Sequence, residues 1–369
     1  MPQRSGGDRF GMHRVFSPRG SLPQAAEKVD PALPLYDNEI LIDVETLNID
    51  SASFHQIKAE VGKDPKKIAE KIRGIVERRG KMHNPVTNSG GMLLGTVREV
   101  GRKLETGGEG RAPGRAERVS TAGRNPRQDP FPKVGDRIAT LVSLTLTPLF
   151  LKEIKQVFVE KEQLSVSGHA ILFESGVFAK MPADIPEPIA LAVLDVCGAP
   201  ATVPRIVKKG DTVVVLGAGK AGILSLYEAK KKVGKSGFVF CLEKNSESLA
   251  QLEDCSFVDE GILVDAQDPV AVYQKVRAIT KGKMADVVIN TANVPKTEMA
   301  AILASHPGGL VYFFNMATNF QAATLGAEGV SHDVRLMMGT GYIPGHAELA
   351  LNILRESPEV RGWFERRLS

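Results

Sequence analysis

The order of apolar and polar positions divides the chain into two parts that meet near residue 186. After this point, short apolar runs alternate with segments of helical periodicity. The runs lie at residues 212–216, 237–242, 262–265, 285–290, 309–314 and 334–338. Short apolar strands that alternate with helices are typical of a parallel sheet covered by helices on both faces. The second part is therefore predicted to be a doubly wound α/β domain.

The first part has the pattern of a β-rich domain. Residues 39–48 alternate over part of their length, and further strand patterns lie at 96–101, at 134–138 and onward to about residue 180. One clear helix interrupts them. It is predicted to begin after Asp64, with a proline in its first position, and to end before Gly80.

Two segments of the first part have the composition of loops. Residues 81–91 are polar and glycine-rich and lead into a strand, as functional loops often do. Residues 102–130 are rich in Gly, Pro and Arg and contain few apolar residues, so a flexible surface insertion is predicted there.

Length and charge narrow the classes of function. With 369 residues the chain is predicted to form two domains. A net charge of +4 is small for this length and gives no reason to expect a nucleic-acid partner. No apolar run reaches membrane-spanning length, so no membrane partner is expected. The N-terminus lacks the apolar core of a secretory signal, and the three cysteines form no ligand pattern, so a cytoplasmic protein is predicted.

The segment Gly217–Gly222 has the spacing of a dinucleotide-binding turn. It follows an apolar run directly and opens a helix. Gly217 permits the tight turn, Gly219 lets the backbone approach a pyrophosphate, and Gly222 lets the helix pack against the strand. The pyrophosphate would meet free N–H groups and the positive end of the helix dipole. The residues between the glycines are also predicted cofactor contacts: Ala218, Lys220 and Ala221.

Glu243 indicates which dinucleotide binds. It lies 21 residues after Gly222, at the end of the next apolar run. A carboxylate in this place accepts hydrogen bonds from a ribose diol and repels a 2′-phosphate, so NAD is favoured over NADP. Lys244, also a predicted cofactor contact, carries a positive charge and weakens this preference for NAD.

Four segments of the chain, and the order in which they occur, resemble the medium-chain dehydrogenase/reductase superfamily. They are Gly95-Thr-Val-Arg-Glu-Val-Gly101, Val134-Gly-Asp-Arg-Ile138, the glycine turn and Asp286-Val-Val-Ile-Asn-Thr-Ala292. The resemblance implies a GroES-like β-rich catalytic domain followed by a Rossmann domain, and a homodimer. The implied boundaries are 1–185 for the catalytic domain, 186–343 for the Rossmann domain, and 344–369 for a segment that returns to the catalytic domain.

The chain departs from the zinc-dependent members of that superfamily. Those members carry a cysteine in the early loop and Gly-His-Glu before the strand that begins here near Gly95. In this chain the early loop, residues 48–55, has no cysteine, and Ser89-Gly90-Gly91-Met92 stands in place of Gly-His-Glu. A zinc ion needs three or four N, S or O ligands. Since these cannot be assembled, no metal is expected.

Residues 53–57 and 80–93 resemble a zinc-free subgroup, the amino-acid dehydrogenases of lysine fermentation. The resemblance implies NAD-linked oxidative deamination of a small amino-acid substrate, L-erythro-3,5-diaminohexanoate, to 5-amino-3-oxohexanoate and ammonia. Two alternatives stay open. One is a zinc-independent quinone or enone reductase, whose early loop also has an asparagine such as Asn48. The other is a NAD-binding protein without catalytic activity.

An amine dehydrogenase needs a group that accepts a proton, because only a neutral amine nitrogen supplies the electrons that let hydride leave. His83 and His55 are the first candidates, and Glu174 and Asp195, near the domain junction, are the second. The substrate carries charged groups that also need partners. The predicted partners are Ser53, Asn84 and Thr87, with Lys81 or Arg335 for the substrate carboxylate.

The resemblance also assigns residues around the two ends of the cofactor. The turns that follow residues 287–290 and 313–315 flank the nicotinamide in this superfamily. Asn290, Thr291, Asn315 and Met316 are assigned to the nicotinamide on that basis, and Asp265, at the end of a short strand, is predicted to border the adenine.

Overall fold

The computed structural model describes residues 2–105 and 131–368 and divides the chain into two compact units. The first unit ends at Leu191 and the second begins at Ala192, a few residues beyond the predicted boundary. Of the predicted flexible insertion at 102–130, residues 102–105 form a short helix, and the rest lies outside the described residues.

The first unit contains a two-stranded and a six-stranded antiparallel sheet, with helices against the larger one. Its strands are β1 (Val15–Ser17), β2 (Lys28–Val29), β3 (Glu39–Asn48), β4 (Met92–Val100), β5 (Arg137–Thr140), β6 (Leu149–Phe158), β7 (Gln163–Phe173) and β8 (Phe178–Lys180). Its helices are α1 (Ser51–Val61), α2 (Pro65–Arg79), α3 (Arg102–Glu105) and α4 (Glu187–Leu194), the last of which crosses into the second unit.

The six-stranded sheet of the first unit has the order β6-β7-β3-β4-β5-β8, and all its neighbours are antiparallel. Alternate residues of β3, such as Ile40 and Ile42, join a core that also contains Ile68 and Ile72 of α2. The predicted bounds of this helix are confirmed. The Asp64 side chain accepts a hydrogen bond from the first turn, and Gly80 ends the helix in a left-handed conformation.

The second unit alternates strands and helices. Its elements are α5 (Gly198–Ile206), β9 (Thr212–Leu216), α6 (Lys220–Val233), β10 (Phe238–Glu243), α7 (Ser246–Ala250), β11 (Glu260–Leu263), α8 (Pro269–Ile279), β12 (Ala285–Asn290), α9 (Glu298–Ala304), β13 (Ser305–Phe313), α10 (Phe320–Gly329), β14 (Val334–Met338), α11 (His346–Glu356) and α12 (Pro358–Leu368). The sheet order is β11-β10-β9-β12-β13-β14, and every pair is parallel.

This strand order confirms the predicted doubly wound sheet. The chain starts in the middle at β9, proceeds outward to β11, and then returns to continue on the other side with β12. Right-handed crossovers in the two directions place helices on opposite faces. The point where the direction reverses, between β9 and β12, is where such sheets bind ligands.

The C-terminal segment differs from its prediction. Residues 344–369 are predicted to return to the catalytic domain, but the structure places them in the second unit. There α11 packs against α5 and α6, and α12 packs against α6 and α11. The reason is the apolar face of α12, where Val360, Trp363 and Phe364 are buried.

In the described part of the chain, no single helix has the length and apolar content to cross a membrane. One bent pair, α4 with α5, passes this test by length and composition alone.

Candidate active site

The carboxyl ends of four parallel strands lie level in the second unit. Leu216 at the end of β9 is paired with Leu242 of β10 and with Asn290 of β12, and Asn290 is paired with Phe313 of β13. The turns that follow these strands therefore meet at one edge of the sheet. The predicted cofactor residues come from these turns and from the one after β11.

The three glycines of the first turn occupy three different environments. Gly217 has φ of +96°, which side chains rarely permit. A Cβ on Gly222 would lie 2.0 Å from the carbonyl oxygen of Gly217, so only glycine allows this approach of helix to turn. A Cβ on Gly219 would meet no protein atom within 4 Å. The protein itself does not require glycine at 219, and the open space there suits the pyrophosphate of a dinucleotide.

The start of α6 completes this anion site. The helix begins at Lys220, and Ala221 and Gly222 belong to its first turn. The first N–H groups of a helix have no intrahelical partner, and the helix dipole favours negative charge there. The residues present therefore fit a bound dinucleotide.

The carboxylate of Glu243 contacts the glycine turn. Its Oε2 accepts a hydrogen bond from the backbone N–H of Ala218 at 2.8 Å, and its Oε1 accepts from the N–H groups of Lys244 and Asn245 at 2.9 Å. A negative charge is thus held beside the turn, at the place where the ribose is predicted. The Lys244 side chain is exposed.

The turns after β12 and β13 are hydrogen-bonded to each other and to the glycine turn. The Thr291 hydroxyl donates to the carbonyl of Leu216 at 2.9 Å. Asn315 donates to the carbonyl of Asn290 at 3.4 Å, and the buried Asn290 side chain donates to Thr297 at 2.8 Å. Met316 is 79% exposed. These predicted nicotinamide residues therefore lie together at one edge of the sheet.

Three further predicted residues lie in the second unit. Asp265 follows β11 and is exposed, with its carboxylate accepting from the Gln267 N–H at 2.9 Å. Asp195 lies between α4 and α5, and its carboxylate is 3.7 Å from the ammonium of Lys220. It therefore pairs with the first residue of α6, beside the glycine turn. Arg335 is exposed on β14.

The loop between α2 and β4 in the first unit is fastened to the start of α1. Gly91 has φ of +98°, and a Cβ there would lie 2.0 Å from the carbonyl oxygen of Asn48. A Cβ on Gly90 would lie 2.3 Å from the carbonyl oxygen of Met82. The Asn84 side chain donates to Gln56 of α1 at 2.9 Å. Gly91 therefore lets the loop approach the backbone just before α1, and Gly90 lets the two ends of the loop approach each other.

This approach assembles a cluster of hydroxyl groups. The Oγ atoms of Ser53 and Ser89 and the Oγ1 of Thr87 lie 2.8 Å from one another. Ser89 also donates to Oδ1 of Asp50 at 2.9 Å, and the same oxygen accepts from the Ser53 N–H at 2.9 Å. The other carboxylate oxygen of Asp50, Oδ2, is buried and has no hydrogen-bond partner in the described residues. We call Asp50, Ser53, Thr87 and Ser89 the hydroxyl cluster.

Asp50 and Ser89 are absent from the residues predicted from the sequence. Asp50 has one local signal, since Asp directly before a helical segment is typical of a helix N-cap. That signal predicts a cap and gives no indication of the contact with Ser89, which is 39 residues away in the chain.

His83 is buried in the same loop. Neither ring nitrogen has a hydrogen-bond partner within the described residues. Burial, together with the charges of Lys81 and Arg79, lowers the pKa of His83 to about 4, and the nearby Asn88 side chain acts in the opposite direction. The imidazole is therefore neutral at pH 7. It is placed to exchange hydrogen bonds, and it is a weak base.

The remaining predicted residues of the first unit point elsewhere. The Lys81 ammonium is buried and donates to the carbonyl oxygens of Pro23 and Gln24 at 2.6 and 3.4 Å, not toward the hydroxyl cluster. Burial and the Arg79 charge lower the pKa of Lys81 to about 8. The His55 side chain is 67% exposed and lies 3.6 Å from Glu162.

Glu174 lies at the other end of the sheet from the hydroxyl cluster. In the pairing of β3 with β7, Glu39 is opposite Phe173 and Asn48 is opposite Gln163. Glu174 follows the first pair, whereas α1 follows the second. A strand of this length spans about 30 Å. The structure therefore does not bring Glu174 together with His83, Ser53, Asn84 and Thr87.

Among the described residues, no three His, Cys, Asp or Glu side chains form a group that could hold a metal ion.

The fold and the glycine turn define a class of protein. The structure is similar to an alcohol dehydrogenase from Thermus sp. ATN1, with a TM-score of 0.53 and 16% identity over 91% of this chain and 89% of that one. It is also similar to an alcohol dehydrogenase from Thermotoga maritima, with a TM-score of 0.52 and 16% identity over 90% and 85% of the two chains. These similarities show that the protein has the medium-chain dehydrogenase/reductase fold.

Sequence comparison identifies the family within that class. Residues 13–112 and 104–182 match the L-erythro-3,5-diaminohexanoate dehydrogenase N-terminal domain. The chain is 50% identical to the L-erythro-3,5-diaminohexanoate dehydrogenase of Acetoanaerobium sticklandii over 98% of both chains. It is 46% identical to the enzyme of that name from Fusobacterium nucleatum, over 97% of this chain and 98% of the relative. The chain belongs to the L-erythro-3,5-diaminohexanoate dehydrogenase family.

Proposed function

We propose that the protein catalyses the NAD-dependent oxidative deamination of L-erythro-3,5-diaminohexanoate at its 3-amino group. The products are 5-amino-3-oxohexanoate, ammonia and NADH. The observation that carries the proposal is the identity of 46–50% over nearly the whole chain to two enzymes of that name. The dinucleotide-binding edge of the second unit and the polar loop of the first unit supply the two kinds of site that the reaction needs.

The cofactor half of the reaction belongs to the second unit. When bound, NAD supplies the acceptor for the hydride that leaves the substrate carbon. The glycine turn and the start of α6 hold its pyrophosphate, and the turns after β12 and β13 hold its nicotinamide. Lys220 adds a positive charge at the start of α6, and its pairing with Asp195 keeps that charge beside the turn.

Glu243 supports NAD as the cofactor in preference to NADP. Its carboxylate is held beside the glycine turn by the Ala218 N–H. A ribose diol donates hydrogen bonds to a carboxylate, whereas a 2′-phosphate at the same place brings like charges together.

The substrate half of the reaction belongs to the loop 81–91 and α1. The reacting group arrives as an ammonium, and it has to lose a proton before hydride leaves. Thr87 offers an oxygen atom that accepts a hydrogen bond from an ammonium, and His83 offers a neutral ring nitrogen. The buried Ser53 and Asn84 hold this loop in place, Ser53 through its contact with Thr87 and Asn84 through its hydrogen bond to Gln56. Water then adds to the iminium carbon, and ammonia leaves.

The reaction proceeds without zinc. In the zinc enzymes of this fold a metal polarises the reacting oxygen. An amine that has lost its proton pushes out hydride with its own lone pair and has no oxygen to polarise.

Two other functions are less well supported. A quinone or enone reductase requires no charged partner for its substrate, and the family match does not favour it. A non-catalytic NAD-binding protein would need neither the polar loop nor its contacts with α1. We infer a cytoplasmic homodimer that acts in lysine fermentation on a small amino-acid substrate, with no nucleic-acid or membrane partner.

The test is NADH formation from NAD and L-erythro-3,5-diaminohexanoate at mildly alkaline pH, with and without a strong chelator. Parallel reactions contain NADP in place of NAD, or an enone with NADPH. NADH formation that the chelator leaves unchanged supports the zinc-free deaminating dehydrogenase. Enone reduction without turnover of the diamine would instead assign the protein to the reductases.

A further inference from the structure

We propose that Asp50 is the terminal acceptor of the proton that the substrate's reacting ammonium loses, reached through the hydroxyl groups of Thr87 and Ser89. The inference rests on the proposed function, because it requires an amine substrate that loses a proton before it is oxidised. It gives the hydroxyl cluster a task that neither its position in the fold nor helix capping explains.

The cluster has more contacts than hydrogens. Three contacts of 2.8 Å join the hydroxyls of Ser53, Thr87 and Ser89, and a fourth of 2.9 Å joins Ser89 to Asp50. Each hydroxyl carries one hydrogen, and an ionised carboxylate carries none. Three hydrogens cannot occupy four contacts, so one contact between two oxygens has no hydrogen while Asp50 is ionised. One added proton completes the set.

The same count gives the direction of transfer. A carboxylate only accepts, so Ser89 must donate its hydrogen to Asp50. Ser89 then accepts from Thr87 or Ser53. Ser53 is fully buried, whereas Thr87 and Ser89 are partly exposed. The Ser89 hydroxyl already has three contacts within the cluster, whereas the Thr87 hydroxyl has two, so Thr87 is the hydroxyl that can also contact a ligand.

The second carboxylate oxygen of Asp50, Oδ2, gives a physical reason for the proton to move to Asp50. Oδ2 is buried and has no partner among the described residues. A charged oxygen without a hydrogen bond is costly in a buried place, and a neutral one is less so. A proton delivered to Oδ1 makes the carboxyl group neutral and lowers this cost.

The step balances without a further reactant. One N–H bond of the substrate ammonium breaks, and its electron pair stays on nitrogen. Thr87 takes this proton and passes its own to Ser89, which passes its own to Asp50, where an O–H bond forms. Nitrogen changes from positive to neutral, and the carboxylate changes from negative to neutral. The neutral amine then has the lone pair that hydride removal requires.

Other titratable groups surround the cluster. On α1, His55 lies 3.6 Å from Glu162, and Glu162 also accepts from the Ser51 hydroxyl at 2.6 Å. The Glu162 carboxylate therefore already has two partners, His55 and Ser51. In the loop, His83 has a pKa of about 4 because burial disfavours its charged form. Neither ring nitrogen of His83 has a hydrogen-bond partner among the described residues, so the imidazole is not a member of the series of hydroxyl groups that ends at Asp50.

The experiment compares Asp50→Asn with a matched control, Asp64→Asn. Both aspartates cap a helix, and Asp64 accepts from the Lys66 N–H at 2.8 Å on an exposed surface. Asparagine retains an oxygen that accepts these hydrogen bonds but takes no proton. NADH formation is measured from pH 6 to pH 10 for both variants and the wild-type protein. NADH binding and thermal unfolding are measured on the same samples.

Asp50→Asn is expected to lower kcat near neutral pH by about 100-fold to 10,000-fold. Its rate should then rise by about tenfold per pH unit, because only substrate whose amine is already neutral reacts, and alkyl amines have pKa values near 10. Asp64→Asn should keep the wild-type profile. NADH binding should be equal in all three proteins.

A second variant tests the same proton path if the Asp50→Asn protein does not fold. Thr87→Val removes the hydroxyl at the entry of the chain and keeps the shape of the side chain, and the same change of pH profile is expected. A folded Asp50→Asn or Thr87→Val protein with the wild-type pH profile would overturn the proton path and leave the proposed function intact. A wild-type protein that does not oxidise the diamine would overturn both.

Discussion

The glycine turn after β9 gives each of its glycines a separate physical task. Gly217 adopts a backbone conformation with positive φ, and Gly222 allows the helix to approach the turn, whereas a Cβ on Gly219 would meet no protein atom within 4 Å. Folding therefore requires the first two, and only a ligand requires the third. Substitutions at single residues separate these tasks.

Gly219→Ala and Gly222→Ala are predicted to have opposite effects. Gly219→Ala should change the free energy of unfolding by less than about 1 kcal/mol but weaken NAD binding at least about tenfold, because its Cβ occupies the place of the pyrophosphate. Gly222→Ala should destabilise the protein by about 3 kcal/mol, because its Cβ meets the Gly217 carbonyl. Urea unfolding and NADH fluorescence measure the two effects. Strong NAD binding by Gly219→Ala would contradict the assigned cofactor position.

Glu243→Gln is predicted to relax the choice of dinucleotide. The amide retains an oxygen that accepts from the Ala218 N–H, so the turn is preserved, but the repulsion of a 2′-phosphate is lost. The ratio of kcat/KM for NAD to that for NADP should fall by about tenfold or more, since like charges in contact cost several kcal/mol. Glu247→Gln, on the following helix, is the control and should leave the ratio unchanged. An unaltered ratio in Glu243→Gln would remove Glu243 from the ribose site.

At the scale of elements, the loop 81–91 depends on its contact with β3 and α1. Gly91 lies against Asn48 and Asp50 so closely that a Cβ would be 2.0 Å from one backbone oxygen and 2.7 Å from the Asp50 nitrogen. The hydroxyl cluster combines residues from both segments, so its geometry depends on how closely the two backbones approach.

Gly91→Ala is predicted to disturb both stability and activity. Gly62, at the end of α1, is the matched control, because it also has positive φ but its Cβ would meet nothing within 4 Å. Gly62→Ala should cost about 1–3 kcal/mol from backbone strain alone. Gly91→Ala should cost at least about 1 kcal/mol more and should also lower kcat/KM, whereas Gly62→Ala should leave kcat/KM unchanged. Equal urea unfolding curves and equal kinetics would show that the loop does not depend on this contact.

At the scale of the whole molecule, a buried ion pair fastens the N-terminal segment to the central strand of the first sheet. The Arg14 guanidinium donates to both oxygens of Glu39 at 2.8 and 2.6 Å, and His13 contacts the same carboxylate at 2.8 Å. Both Arg14 and Glu39 are almost completely buried. Burial alone would raise the pKa of Glu39, but the hydrogen bonds from Arg14 and His13 and the Arg14 charge outweigh it and lower the pKa to about 2.

The stability of the protein is therefore predicted to fall in acid. Glu39 binds a proton more readily when unfolded, so its contribution is complete above about pH 5 and is lost as the pH falls toward 2; the shift corresponds to about 3 kcal/mol. Glu39→Gln should already be destabilised at pH 7, because Arg14 is left buried without its partner, and should lose less stability between pH 6 and pH 3. Urea unfolding at several pH values tests this, with the exposed Glu70→Gln as control. Parallel pH curves for wild type and Glu39→Gln would contradict it.

Structural features that depend on neighbours along the chain can be predicted from the sequence alone. The glycine spacing after an apolar run predicts the dinucleotide turn, and Asp64 with Gly80 predicts the ends of α2, because turns and caps are local structures. The alternation of strands and helices predicts the doubly wound sheet. The resemblance of residues 53–57 and 80–93 to a zinc-free subgroup agrees with the family to which the chain belongs.

Contacts between side chains that are distant in the chain depend on how the chain folds. Lys81 follows α2 directly in the chain, yet its ammonium turns to the carbonyl groups of Pro23 and Gln24. Glu174 is placed far from the hydroxyl cluster by the antiparallel pairing of β3 with β7. Asp50 and Ser89 meet because Gly91 lets two separate backbone segments approach each other. The direction and the partners of a side chain depend on long-range pairing and packing, which spacing along the chain does not contain.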